Sequence, residues 1–146
     1  MEWIDEIIIG LIDSYDTNCP YKLCKFLDIS LIKVEHDDPI LCKNNSAYIR
    51  NFLGLERIFI RNDLNEKEES FYIRHELGHA ILHPGLKNSY NKHLINKYKL
   101  EKEANYFAFK LSDITFDQVE LYDMTLEQIA SCIGIPHAAL EQLATF

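Results

Sequence analysis

Basic residues are scarce in this chain: 15 Lys and Arg stand against 23 Asp and Glu, a net charge of -8 over 146 residues. A general nucleic-acid binder needs a basic face to replace phosphate counterions, so that class is excluded. Binding to a protein that itself binds DNA is not. Long apolar runs are also missing. The longest is Ile7-Ile8-Ile9-Gly10-Leu11-Ile12, far short of the ~20 residues a membrane-spanning helix requires. The start is acidic (Glu2, Asp5, Glu6), whereas a signal peptide opens on basic residues. A cytoplasmic location is therefore expected.

There is no CxxC pair. Cys19, Cys24, Cys42 and Cys132 form no regular framework and read as free thiols of a reducing compartment. The Asn44-Asn45-Ser46 sequon is then only a polar turn. No repeat, low-complexity block or Gly/Ser/Pro linker divides the chain, which at this length reads as one domain over 1–146. Its composition, 47% hydrophobic and 26% charged, is that of a globular protein and excludes disorder, collagen and coiled coil.

Trp3, Ile4, Ile7, Ile8, Leu11 and Ile12 have helical spacing. Thr17 or Asn18 is expected to cap a short helix with Pro20 in its first turn, ending near Leu27. Ile29–Glu35 is β-branched and roughly alternating, and reads as a strand. Ala47–Phe52 and Leu55–Arg61 flank Leu53-Gly54 and read as an antiparallel hairpin. Asn65 with Glu68 is a capping-box pattern opening a helix to about His83, where Pro84-Gly85 stops it. Phe71, Leu82, Ile73, Leu77 and Ile81 make that helix apolar on both sides, hence central and buried. Residues 86–96 read as a loop and 98–112 as an amphipathic helix. Thr125 and Gln128 open another helix to about Cys132, which lies on an apolar face and is expected in the core. Gly134 and Pro136 precede a last helix ending near Leu143.

The central helix carries His75-Glu76-Leu77-Gly78-His79, an HExxH sequence. Residues four apart share a helical face one turn apart, so both imidazoles reach one ion, with zinc expected. Glu76 lies about 60° round the helix from His79 and can touch a water at an open ligand position without being a ligand itself. Shuffling this composition, with its 6 His, yields the motif only about 0.02 times. Two His and an acid on a buried helix are costly without a metal to satisfy them. A third ligand is required. The metzincin pattern is excluded because Leu82 and Gly85 stand where its glycine and third histidine belong. His83 is two turns from His75, too far to converge on the same ion, and reads as a histidine at the negative helix end beside Pro84. Glu101 and Glu103 flank the apolar stripe of helix 98–112 on opposite sides, and the helical wheel does not choose between them.

HELGHAILH, then LEKEANYFAFKL (Leu100–Leu111), then LEQIASCIGIP (Leu126–Pro136) resembles the ImmA/IrrE family of metallo-endopeptidases. Glu101, Ala104, Phe107 and Ala108 match that family's E-x-x-A-x-x-F-A helix position by position, and the likeness spans about residues 20–140. It implies an α+β, zincin-like (gluzincin) domain. In it, an antiparallel sheet of about three strands packs on the HExxH helix, with a helical C-terminal segment (about 124–146) as an appendage. It implies Glu101 as third ligand of one Zn²⁺ per chain, beside His75 and His79, with Glu76 as the catalytic base. The chain lacks room for the extra C-terminal domain of longer members and resembles the compact proteases of prophages and integrative elements. Those cut a helix-turn-helix repressor, so the expected partner is such a protein.

Asn105 is a candidate to accept the free N–H of a ligand imidazole. Tyr90 and His93, in the loop between the ligand helices, are candidates to stabilise an oxyanion. Strand Ala47–Phe52 is a candidate edge for pairing with an extended substrate. Two competing readings differ in kind. One is a stoichiometric antirepressor with zinc as a structural part. The other is DNA binding by Thr125–Leu143, which has a helix-turn-helix outline but contains no Lys or Arg, making phosphate contact implausible.

Overall fold

The computed structural model describes residues 1–90, 96–114 and 122–143. The described elements are α1 (Glu2–Tyr15), α2 (Pro20–Phe26), β1 (Ile29–Val34), a 3-10 turn at Pro39–Leu41, β2 (Ser46–Arg50), β3 (Glu56–Arg61), α3 (Glu66–Leu82), α4 (Lys97–Leu111), α5 (Leu126–Ile133) and α6 (His137–Leu143). The class is α+β, as the sequence led us to expect. Among the described residues no helix is long and apolar enough to cross a membrane.

The sheet order is β1-β3-β2. β2 and β3 form the expected antiparallel pair, with Ser46 opposite Ile60 and Arg50 opposite Glu56. Their connection is closed by Asn51, whose Oδ1 accepts from the Leu53 and Leu55 amides, and by Gly54 at φ 80°, a left-handed value that glycine adopts without a Cβ clash. The expectation of an all-antiparallel sheet is corrected. β1 pairs with β3 in parallel, Ile29 opposite Glu56 through Val34 opposite Arg61. β3 lies between β1 and β2 and buries Ile58 and Ile60 completely. Alternation tells which side chains of a strand are buried; it is blind to which strand inserts between two others.

α3 begins at Asn65, whose Oδ1 accepts from the Glu68 amide while its Nδ2 donates to Glu68 Oε1. The cap is reciprocal, but the side-chain amide takes the place of the backbone N–H of a true capping box. α3 then runs through the middle of the molecule, burying Phe71, Ile73 and Leu77. It crosses α4 so closely that a Cβ on Gly78 would lie 3.2 Å from the Ala104 Cα. α1 buries Ile4 and Ile8 and is tied to α4 by Tyr106, whose hydroxyl donates to Asp5. The start of α2 differs from expectation: neither Thr17 nor Asn18 caps it. Thr17 Oγ1 accepts from the Cys19 amide, a local turn, and Asn18 Nδ2 donates to the Leu111 carbonyl.

α5 carries the full capping box, with Thr125 and Gln128 bonding each other's backbone amides. Ala130, Ile135, Ala139 and Leu140 cluster with Phe71 of α3 and Ala108 of α4, so α5 and α6 share their core with the two central helices. Cys132 is not in that core, contrary to expectation; it is exposed. It lies two residues, about 200°, round the helix from the buried Ala130.

Candidate metal centre

α3 and α4 meet where their small residues allow close approach, and there each presents polar side chains to the other. His75 and His79 come from α3 and Glu101 from α4. One ligand atom from each falls within 4.8 Å of the other two. Glu101 straddles the imidazoles, its Oε2 3.2 Å from His75 Nε2 and its Oε1 3.1 Å from His79 Nε2. An ion held tetrahedrally at ~2.0–2.1 Å from each ligand sets ligand–ligand edges of about 3.3 Å. Each imidazole Nε2 lies close to that distance from one of the two Glu101 oxygens, His75 from Oε2 and His79 from Oε1. His79 Nε2 is also buried and, despite its nearness to Glu101, out of line for a hydrogen bond, so it has no hydrogen-bond partner. A buried acceptor left unmatched costs free energy that a metal ion would recover. The donor set therefore fits a metal.

The ionisable groups of this cluster act strongly on one another. Burial raises the Glu101 carboxyl pKa, but the imidazoles of His75 and His79 outweigh it and hold that carboxyl well below the usual carboxylate range. Burial works to lower the His75 pKa, yet the carboxylates of Glu101 and Glu76 lift it to about 9. Burial pushes His79 down to about 4. Burial raises Glu76 to about 7, against the opposing pull of His75. A carboxyl near neutrality can both accept and return a proton.

Glu76 is 2% exposed and receives a hydrogen bond from Ser89 Oγ at 3.3 Å. Ser89 Oγ in turn accepts from the Tyr48 amide at 2.8 Å. Asn105 Oδ1 lies 2.7 Å from His75 Nδ1, and Asn105 Nδ2 donates to Gln142 of α6 at 2.6 Å. His83 is the C-cap of α3, and its Nδ1 faces His79 Nδ1 at 3.0 Å. Its Nε2 is 3.4 Å from Glu103 Oε1. Glu101 and Glu103 thus hold different places, the first at the ligand triad and the second behind it. Tyr90 is half-buried and outside the cleft lining. His93 lies outside the described residues.

Ser89 and Gln142 carried no assignment from sequence, and His83 and Glu103 were weighed there singly and not as a pair. Ser89 and Gln142 have no motif to find them by. His83 had a signal, since it follows His79 by one further turn on the same face.

The triad opens on a cleft of about 340 Å³ lined by Asn44, Asn45, Ser46, Phe71, Tyr72 and Lys97, with Pro136, Ala138 and Ala139 of the C-terminal segment as its far wall. The expected substrate-pairing edge needs correction. β2 is an edge strand, but the outward backbone of Tyr48 and Arg50 is already bonded to Ser89 and Lys87, with Ile49 bridged to Asn88. Residue 46 has the same outward parity as 48 and 50, and Ser46 is the one of the three that lines the cleft.

The fold and this donor set fit a metallopeptidase. Residues 40–144 match the family model of peptidase M78, the IrrE N-terminal-like domain, and the chain belongs to that family. It is 35% identical over 130 residues to "uncharacterized immunity region protein 2" of Bacillus phage phi105, covering 86% of this chain and 79% of the relative. It is 27% identical over 134 residues to "metallopeptidase ImmA" of Bacillus subtilis (strain 168), covering 87% and 75%. No solved structure matches.

Proposed function

We propose that this chain is a zinc-dependent endopeptidase of the cytoplasm, with one Zn²⁺ per chain held by His75, His79 and Glu101. Its substrate is a helix-turn-helix repressor of a phage or integrative element. The observation that carries the reading is the convergence of two imidazoles and one carboxylate within 4.8 Å, with an unligated carboxyl, Glu76, beside them. The relative named for a phage immunity region supports the choice of substrate class.

When bound, the ion supplies Lewis acidity to the scissile carbonyl and to water. The rest is done by the chain. Glu76 takes a proton from the attacking water and delivers it to the leaving amine. Ser89 holds the Glu76 carboxylate by a hydrogen bond to Oε2, and Asn105 fixes the His75 ring through Nδ1. An extended substrate segment enters between Ser46 and the wall formed by Pro136 and Ala139. A flexible linker or a locally unfolded helix of the repressor meets this need, because its backbone is not already hydrogen-bonded.

The net charge of -8 speeds encounter with a basic DNA-binding protein and makes that encounter sensitive to salt. The test is incubation of the purified, zinc-loaded protein at substoichiometric amounts with a purified helix-turn-helix repressor of a phage or integrative element, followed by fragment mapping by mass spectrometry. Discrete fragments accumulating over many turnovers are expected. Intact repressor held in a stable complex would reject the reading in favour of a stoichiometric antirepressor.

A further inference from the structure

We propose that His83 and Glu103 form a relay that fixes the tautomer and orientation of His79 for metal binding. The inference rests on the reading of His79 as a ligand and goes beyond it, because it assigns two positioning residues that touch neither ion nor substrate.

The geometry leaves one consistent set of protons. A metal on His79 Nε2 requires the ring proton on Nδ1. His79 Nδ1 is 3.0 Å from His83 Nδ1, and two nitrogens at that distance need one donor and one acceptor. His79 therefore donates and His83 Nδ1 accepts. The proton of neutral His83 is then on Nε2, which faces Glu103 Oε1 at 3.4 Å. A carboxylate accepts that proton. Read from the far end, Glu103 orders His83, and His83 orders His79. The opposite arrangement would put a proton on His79 Nε2, where the metal must bind.

Burial makes the relay matter. His79 is fully buried, the side chains of His83 and Glu103 are 8% and 7% exposed, and water cannot readily replace either partner. His83 sits at the C-cap of α3, where the chain leaves the helix, so its ring reaches back over His79 instead of continuing along the face. Glu103 is the second residue after Glu101 on α4, about 200° round the helix, so one helix supplies a ligand and the support of a different ligand.

The two imidazoles are supported unequally. His75 leans directly on a neutral amide, Asn105, which donates in turn to Gln142. His79 leans on a chain that ends in a carboxylate. A carboxylate behind an imidazole raises its basicity as a ligand, so the relay contributes to affinity as well as orientation.

The test measures metal, not proteolysis. Zinc affinity is read by competition with a chromophoric chelator for wild type, His83→Phe and Glu103→Gln, with thermal unfolding of each metal-free protein alongside. His83→Phe keeps a ring in place and removes the acceptor, and about 10–100-fold weaker zinc binding is expected. Glu103→Gln keeps an acceptor oxygen and removes the charge, and a smaller loss, below about 10-fold, is expected. Long-range ¹H–¹⁵N correlation spectra of the zinc-loaded wild type should show His79 protonated at Nδ1 and His83 at Nε2. That measurement decides the matter even where His83→Phe does not fold. His83 protonated at Nδ1 overturns the relay, as does His83→Phe that binds zinc as tightly as wild type. A wild-type chain that binds no zinc overturns the metal reading and the relay together.

Discussion

Gly78→Ala probes the helix crossing on which the metal centre depends. On a solvated helix this change would stabilise by about 1 kcal/mol, because alanine restricts the unfolded chain and favours the helix. Here the added methyl would lie 3.1 Å from Phe107 Cδ1, 3.2 Å from Phe107 Cβ and 3.2 Å from Ala104 Cα. The ring can rotate away, but the Ala104 Cα is backbone and moves only with α4. Overpacking of this kind costs about 1–3 kcal/mol, so the two effects nearly cancel or leave a net loss of up to ~2 kcal/mol. The sharper effect is on geometry. Gly78 lies next to His79, and Ala104 is three residues after Glu101, so a shift of a few tenths of an ångström between α3 and α4 is carried into the 3.1 and 3.2 Å contacts between imidazoles and carboxylate. Zinc affinity is expected to fall more than stability, and Gly78→Val should extend the trend in both. Urea unfolding of the metal-free protein and zinc competition measure the two separately. A Gly78→Ala protein that is about 1 kcal/mol more stable and binds zinc unchanged would refute the argument that this crossing is closed to a side chain.

Glu76→Gln should retain zinc, because the proposed ligand set does not include Glu76, and lose roughly 10²–10⁴-fold in turnover; fragment-release rates and bound-metal analysis check both. His75→Ala should lose zinc and activity together, as measured by metal content after dialysis. Alkylation at pH 8 should modify the exposed Cys42 and Cys132 first and the buried Cys24 last. Burial pushes the Cys24 thiol up to about 12, leaving a thiolate fraction of only about 10⁻⁴ at that pH. Mass spectrometry of the time course is the check, and early labelling of Cys24 would mean that α2 opens readily.

The central helix was legible because its signal is local. The HExxH spacing, the Asn65 start and the Pro84 stop lie within one element, and a helix apolar on both sides has to be buried. The sheet was legible only in part. Periodicity located the three strands and gave the β2–β3 pairing, because a short connection enforces an antiparallel neighbour. The parallel docking of β1 on β3 is a choice between non-local partners, and no residue of Ile29–Val34 records it. Cys132 was misread for a related reason. A short helix with apolar residues at Leu126, Ile129, Ala130 and Ile133 has a broad apolar arc, and only the position of Phe71 and Ala108 settles which part is covered.

Glu101 and Glu103 make the limit concrete. Both flank the same apolar stripe, and a helical wheel assigns each an equal claim on the ion. The resemblance of Glu101-x-x-Ala104-x-x-Phe107-Ala108 to a family helix favoured the first, for reasons a single chain does not contain. The fold supplies the physical reason. α3 and its C-cap carry three histidines, His75, His79 and His83, four residues apart, and α4 crosses α3 at Gly78 and Ala104. Glu101, on one side of that crossing, meets His75 and His79. Glu103, on the other, meets His83. The two carboxylates therefore are not rivals for one role. Each is matched to a different part of this histidine series, and removal of either should be felt at His79: through loss of a ligand for Glu101, and through loss of ring support for Glu103. Glu101→Gln should accordingly abolish tight zinc binding in the same competition assay in which Glu103→Gln only weakens it. Equal losses in the two variants would mean that the crossing does not separate their roles.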